Sequence, residues 1–190
     1  MNSKCIIFCG LKGSGKDTCV EYLKKKDRGL GGKSNKYFHT TFAGSVKDES
    51  SMVYGVERSL FDNVDLKDEI VPGGLKMSPR DMCLVVGKEG RNKDLNYWIN
   101  KTIRSINLNL KRGQVCLVSD CRYPNEMQSL KDYFGFENVL TVWISRFKIN
   151  SSSHETENSL SEKDCSVVIN NHGDLEQFFK KLDWLLTLIN

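Results

Sequence analysis

The sequence predicts an α/β fold with a central, mainly parallel sheet, and three observations predict it. Short, almost purely apolar runs, such as Cys5-Ile6-Ile7-Phe8-Cys9 and Val115-Cys116-Leu117-Val118, read as strands buried on both faces. Segments with helical spacing alternate with those runs, which is the order that crossover connections require. The glycine-rich stretch Gly10-Leu11-Lys12-Gly13-Ser14-Gly15-Lys16-Asp17-Thr18 separates the first strand from the first helix.

Strand, glycine turn, lysine and helix in this order make a P-loop. Gly10, Gly13 and Gly15 allow the tight turn, and the backbone N–H groups of the loop, with Lys12 and Ser14, face inward as an anion nest. The new helix adds its positive end, and Lys16 can reach terminal phosphates as a point charge. Ser or Thr usually follows that lysine directly. Here Asp17 intervenes and Thr18 comes next, which leaves Asp17 to hold magnesium water or an acceptor.

Helix one is expected to run to about Lys26, stopped by Gly29, Gly31 and Gly32. A second strand is expected over Tyr37 to Phe42, then a turn at Ala43-Gly44-Ser45 and a helix to about Gly55. Lys47 thereby falls near the carboxyl ends of the strands, where open α/β sheets bind ligands. It is either an acceptor-phosphate contact or a surface lysine. Residues 57–77 carry a loop at Pro72-Gly73-Gly74, and Asp65, Asp68 and Glu69 read as a solvated face.

Ser78-Pro79 is a helix start, an N-cap followed by proline at the first position. That helix is expected to reach about Val86 and to break at Gly87 and Gly90, with Arg91 in the following turn. Asp94 then caps a helix whose apolar side carries Trp98, Ile99, Ile103, Ile106 and Leu110. The spacing speaks for core packing, with Tyr97 or Trp98 flanking a base as the other reading.

The strand at Val115 to Val118 delivers Ser119-Asp120-Cys121-Arg122. A carboxylate at the end of an apolar strand suits magnesium, so Asp120 is read beside the loop, and Arg122 can fork onto a phosphate. The alternative is a turn-capping Asp and a surface Arg. Pro124 opens a helix to about Phe134. A fourth strand over Val139 to Ile144 ends at Ser145-Arg146, where Arg146 could reach a transferring phosphoryl. Residues 149–163 are polar and serine-rich, either a disordered loop or a lid. Cys165 to Ile169 is a last strand, and Gly173-Asp174 caps a final helix.

Composition bounds the rest. At 190 residues the chain reads as a single domain, 1–190, with 39% apolar and 27% charged residues. No apolar run approaches the roughly 20 residues of a membrane span, and the start reads straight into strand one, so no leader or membrane partner is expected. A net charge of +4 suits small anionic substrates and does not argue for nucleic acid. Seven cysteines without a C-x-x-C pair, and three dispersed histidines, speak against structural zinc and for a reducing, cytoplasmic setting.

With these pieces in place the chain resembles the bacteriophage-type deoxynucleoside monophosphate kinases. The matching segments are GLKGSGKDT at 10, FAGSVKD at 42, Ser78 through GKEGRNKDLNYW, VSDCRYPNEM at 118, HETENSL at 154 and VVINNHGDLEQF at 167. Animal-type phosphomevalonate kinases are similar at Ser-Gly-Lys-Asp, Ser-Asp-x-Arg and Asn-His-Gly. The middle segment, with Ser78-Pro79-Arg80 and Gly90-Arg91 leading to Tyr97-Trp98, is closer to the phage enzymes. The chain is shorter than those, mainly before Ser78.

The resemblance implies a P-loop NTPase-like three-layer sandwich with a lid at 149–163. It implies ATP and Mg²⁺ as cofactors and phosphoryl transfer to a nucleoside monophosphate. Lys16 and the loop from Gly10 to Thr18 would hold the donor; Asp17, Thr18 and Asp120 would organise the metal. Arg122 with Lys47 would clamp the acceptor, beside Asp120, Arg91 and Trp98, and Arg146 and Lys12 would neutralise charge in transit. A phosphate of another kind, phosphomevalonate above all, remains an alternative acceptor, as does binding without transfer. The oligomeric expectation is open between a single chain and a homodimer.

Overall fold

A computed structural model describes residues 5–28, 36–63, 65–72, 76–147 and 159–189. The expected glycine turn at 29–32, most of the turn at 72–74 and the greater part of the expected lid lie outside the described residues. The chain divides into two compact units, one of Met1–Thr40 with Ser105–Asn190, the other of Thr41–Arg104.

The first unit is built on five parallel strands: β1 (Cys5–Cys9), β2 (Tyr37–Thr40), β3 (Val115–Val118), β4 (Val139–Ser145) and β5 (Val167–Asn170), in the order β2-β3-β1-β4-β5. The strand preceding the glycine loop is therefore central, as its unbroken apolar character predicts. It pairs with β3 from Cys5 opposite Cys116 and with β4 up to Cys9 opposite Trp143. Side chains alternate along a strand. Ile6 and Phe8 join one cluster with Val20 and Leu23 of helix α1 (Lys16–Arg28) and Phe178, Leu182 and Leu185 of helix α6 (Leu175–Ile189). Cys5, Ile7 and Cys9 point the other way and are equally buried. Burying such side chains contributes on the order of 1.5–3 kcal/mol each, so both faces of β1 are covered by necessity. Helix α5 (Pro124–Phe134) packs against β4.

The second unit holds helix α2 (Phe42–Tyr54), a 3-10 turn at Arg58–Phe61, helix α3 (Pro79–Lys93) and the start of helix α4 (Tyr97–Leu110). Val56, Phe61 and Met82 form its own small core. Two boundaries differ from the sequence reading. Helix α2 begins at Phe42, where a strand end and turn were expected: Thr41 is the N-cap, its hydroxyl accepting from the Gly44 N–H at 2.8 Å. Helix α3 does not break at Gly87 and Gly90 but runs through both to Lys93. Gly90 serves packing, since a Cβ there would lie 2.6 Å from the Trp98 ring, whereas a Cβ on Gly87 would meet Val46 at an ordinary 3.6 Å. The start at Ser78 is as expected, with a reciprocal capping box to Asp81.

Candidate active site

The loop after β1 has the backbone the sequence asks for. Gly10, Gly13 and Gly15 have φ of 138°, 78° and 110°, the left-handed region that side chains avoid. Gly10 and Gly15 are also confined. A Cβ on Gly10 would stand 2.5 Å from the carbonyl oxygen of Ile144, and one on Gly15 would stand 2.7 Å from Nδ2 of Asn171. At Gly13 nothing lies within 4 Å, so only the backbone conformation demands glycine there.

Lys16 is the first residue of α1. Its Nζ donates to the carbonyls of Gly10 at 2.7 Å and Leu11 at 2.8 Å, so the ammonium lies folded over the loop. Lys12 is exposed and Ser14 is buried. The Ser14 hydroxyl is a buried polar atom without a hydrogen-bond partner among the described residues. Such an orphan inside a nest of backbone N–H groups suits an anion with acceptor oxygens. The loop thus fits a polyphosphate by its backbone, its lysine and its helix end.

Asp17 is exposed in the first turn of α1, and Thr18 is half-buried. Oδ1 of Asp17 accepts from the Ser119 hydroxyl at 3.3 Å, which brings the start of α1 to the end of β3. Asp120 follows immediately, partly buried. Among the described residues no group of three or more His, Cys, Asp or Glu could hold a metal ion. Two carboxylates and a hydroxyl are the hard oxygen donors that suit Mg²⁺ when phosphates and water complete its shell.

Arg122 is exposed on the turn into α5. That turn is held by Glu126, whose Oε2 accepts from the backbone N–H of Arg122 at 2.9 Å and of Tyr123 at 3.1 Å. Burial pushes the Glu126 carboxyl up to about 7, against the pull of those two N–H groups. Cys121, between Asp120 and Arg122, is buried, its thiol aimed at the Tyr123 carbonyl. Arg146, just past β4, donates to the Gly13 carbonyl at 3.2 Å and so hangs over the loop.

Two residues that sequence reasoning did not assign also hold this region. Asn171, at the end of β5, donates its side-chain amide to the Ser14 carbonyl at 2.8 Å. His39, on β2, contacts the Ser119 hydroxyl through Nε2 at 2.8 Å. The Asn-His-Gly segment was a visible signal for the first; nothing local pointed to the second.

The remaining expected substrate contacts lie in the second unit. Lys47 of α2 pairs with Asp62 at 2.8 Å, and Arg58 bridges Asp62 and Asp48. Arg91 lies in the last turn of α3, exposed, rather than in a turn after it. Trp98 is buried, its indole N–H donating to the Gly87 carbonyl at 3.0 Å and its ring set edge-on to Tyr97 at 4.9 Å. Packing accounts for it.

No curated protein matches the chain by sequence. Among solved structures the chain is similar to dephospho-CoA kinase from Campylobacter jejuni, at 13% identity and a TM-score of 0.55, over 98% of this chain and 97% of that one. It is also similar to TT1252 from Thermus thermophilus, at 16% identity and a TM-score of 0.52, over the full length of both. These likenesses agree on the fold, an α/β architecture around a five-stranded parallel sheet. Residues 89–182, which carry β3, Arg122, Arg146, β5 and most of α6, match the family model of the deoxynucleotide monophosphate kinases, and the chain is by that match a kinase-type protein resembling that family.

Proposed function

We propose that the chain transfers the terminal phosphoryl group of ATP to a deoxynucleoside monophosphate. The observation that supports this acceptor is the family match over 89–182, and the P-loop backbone at Gly10 to Thr18 supports the donor.

Such transfer needs positioning and charge stabilisation and no covalent intermediate. ATP supplies the phosphoryl group, and Mg²⁺ neutralises charge on its phosphate oxygens. The backbone N–H groups from Gly10 to Thr18 hold the donor phosphates, and Lys16 moves from the loop carbonyls onto them. Asp17, Thr18 and Asp120 present oxygens to the ion and its water. Arg122 clamps the acceptor phosphate as a planar fork. Arg146, held over the loop by the Gly13 carbonyl, swings onto the group in transit. In the second unit Lys47 and Arg91 are proposed as acceptor contacts. Trp98 contributes by fixing Gly87 and Gly90, and with them the helix that carries Arg91, since its buried ring leaves little face for stacking.

The test is release of ADP with ATP and Mg²⁺ over a panel of acceptors. Turnover of at least one of dTMP, dGMP and dCMP, with phosphomevalonate largely untouched, is the expected result. Robust turnover of phosphomevalonate and of no nucleotide would overturn the acceptor and leave the kinase.

A further inference from the structure

We propose that His39 is a positioning residue for Asp17, acting through the hydroxyl of Ser119. The inference rests on the reading in which Asp17 serves the magnesium water or the acceptor.

Strands β2 and β3 are neighbours, with His39 opposite Leu117. Ser119 lies two residues beyond that pair, and His39 reaches forward to it. The Nε2 of His39 is 2.8 Å from the Ser119 Oγ, and that Oγ is 3.3 Å from Oδ1 of Asp17. Ser119 is 3% exposed, so its hydroxyl depends on these partners. The direction of the chain follows from chemistry. An ionised carboxylate only accepts, so the single proton of Ser119 goes to Asp17. The Ser119 oxygen must then accept from His39, which fixes the tautomer with hydrogen on Nε2. Burial, the first cause, and Lys24 both push the His39 ring below its ordinary value, against Asp17 and Glu21. The ring is therefore neutral near pH 7, where one nitrogen carries the proton and its choice matters.

The consequence is orientation. Asp17 is exposed and would otherwise sample several rotamers. A directed chain ending on Oδ1 selects one of them and leaves the other oxygen for the reaction. A histidine satisfied only for the sake of the fold would stabilise the sheet edge whatever stood at position 17. This gives the test its form.

The full chain is assayed under single-turnover conditions with enzyme in excess, so that slow variants stay readable, and each variant is checked by thermal melting and ATP binding. His39→Leu should lower the rate about tenfold, the lower end of what outer partners of an ion-holding ligand contribute, with ATP affinity unchanged. His39→Gln, whose amide nitrogen reaches the place of Nε2, should recover most of it. In an Asp17→Asn background His39→Leu should cost nothing further, because the carboxylate whose orientation matters is gone even though an Oδ1 remains. Ser119→Ala should mimic His39→Leu, and the pair together should be no worse than Ser119→Ala alone, which keeps the test valid if His39→Leu melts early. A full His39→Leu loss in the Asp17→Asn background, or wild-type rate in His39→Leu while Asp17→Asn is slow, overturns the positioning role alone. A wild-type rate in Asp17→Asn overturns the role of Asp17 and the proposal with it.

Discussion

The side-chain amide of Asn171 donates to the carbonyl of Ser14 across 157 residues of sequence, and it ties the end of β5 to the middle of the P-loop. Asn171 is buried, and so is the carbonyl it satisfies. Asn171→Ala leaves that carbonyl without its donor, at a cost of about 1–3 kcal/mol. Urea unfolding should show that loss, and ATP binding should weaken with it because the loop is less well held. Unchanged binding would separate the anchor from the site.

Gly10 and Gly13 should respond differently to alanine. At Gly13 the only cost is the left-handed backbone, about 1–2 kcal/mol, since the space beyond it is open. At Gly10 the new methyl also meets the Ile144 carbonyl at 2.5 Å, a backbone atom of the neighbouring strand. Gly10→Ala should therefore unfold at distinctly lower urea than Gly13→Ala. Equal midpoints would contradict the confinement at Gly10.

Arg122 tests the division between donor and acceptor. Arg122→Ala should lower monophosphate-dependent turnover by about 10²-fold, in line with single electrostatic contacts at a transition state, while ATP still binds. Arg122→Lys should recover little, because a point charge does not replace a planar fork. Lost ATP binding in Arg122→Ala would move this residue to the donor side.

Glu126 gives the fold a pH dependence with a defined sign. Its carboxyl stands near 7 in the native state against 4.5 ordinarily. Between those values the native chain keeps a proton that the unfolded chain has released. The stability from this group is thus present at low pH and falls as pH rises through that window. Glu126→Gln still offers an oxygen to the Arg122 and Tyr123 N–H groups but does not titrate. Its unfolding midpoint, measured at pH 5 and pH 8, should change less between the two than that of the native sequence.

What could be read in advance was local. The P-loop is contiguous, so strand, glycines, lysine and helix were legible together, and the apolar run of β1 correctly marked a strand covered on both faces. The Ser78-Pro79 helix start was legible for the same reason. Gly87 and Gly90 misled because glycine in a helix has two meanings, a break or a close approach. At Gly90 the ring of Trp98, brought in from another helix, decides for close approach. Thr41 misled because an apolar strand and a capped helix meet there within two residues. His39 with Ser119 was invisible because the pair is joined by strand order rather than by spacing in the chain, and Asn171 was visible only as part of Asn-His-Gly, without its partner Ser14. For Lys47, Arg91 and Trp98 the sequence supplied a role, and the contacts seen for Lys47 and Trp98 lie within the second unit.

The central place of β1 also has a temporal side. The strand precedes both its partners in the chain, since β3 and β4 begin at Val115 and Val139. A ribosome must therefore add the whole stretch from Gly10 to Gln114 before β1 can hydrogen-bond to its neighbours in the sheet. Residues Thr41–Arg104, by contrast, are contiguous and carry their own core at Val56, Phe61 and Met82. Non-local parallel pairing is slow because loop closure precedes its reward, and an apolar strand waiting unpaired is open to wrong partners. The nascent chain thus emerges with its most apolar strand the longest exposed, and chaperone dependence during synthesis should fall on Cys5–Cys9 rather than on the middle of the sequence.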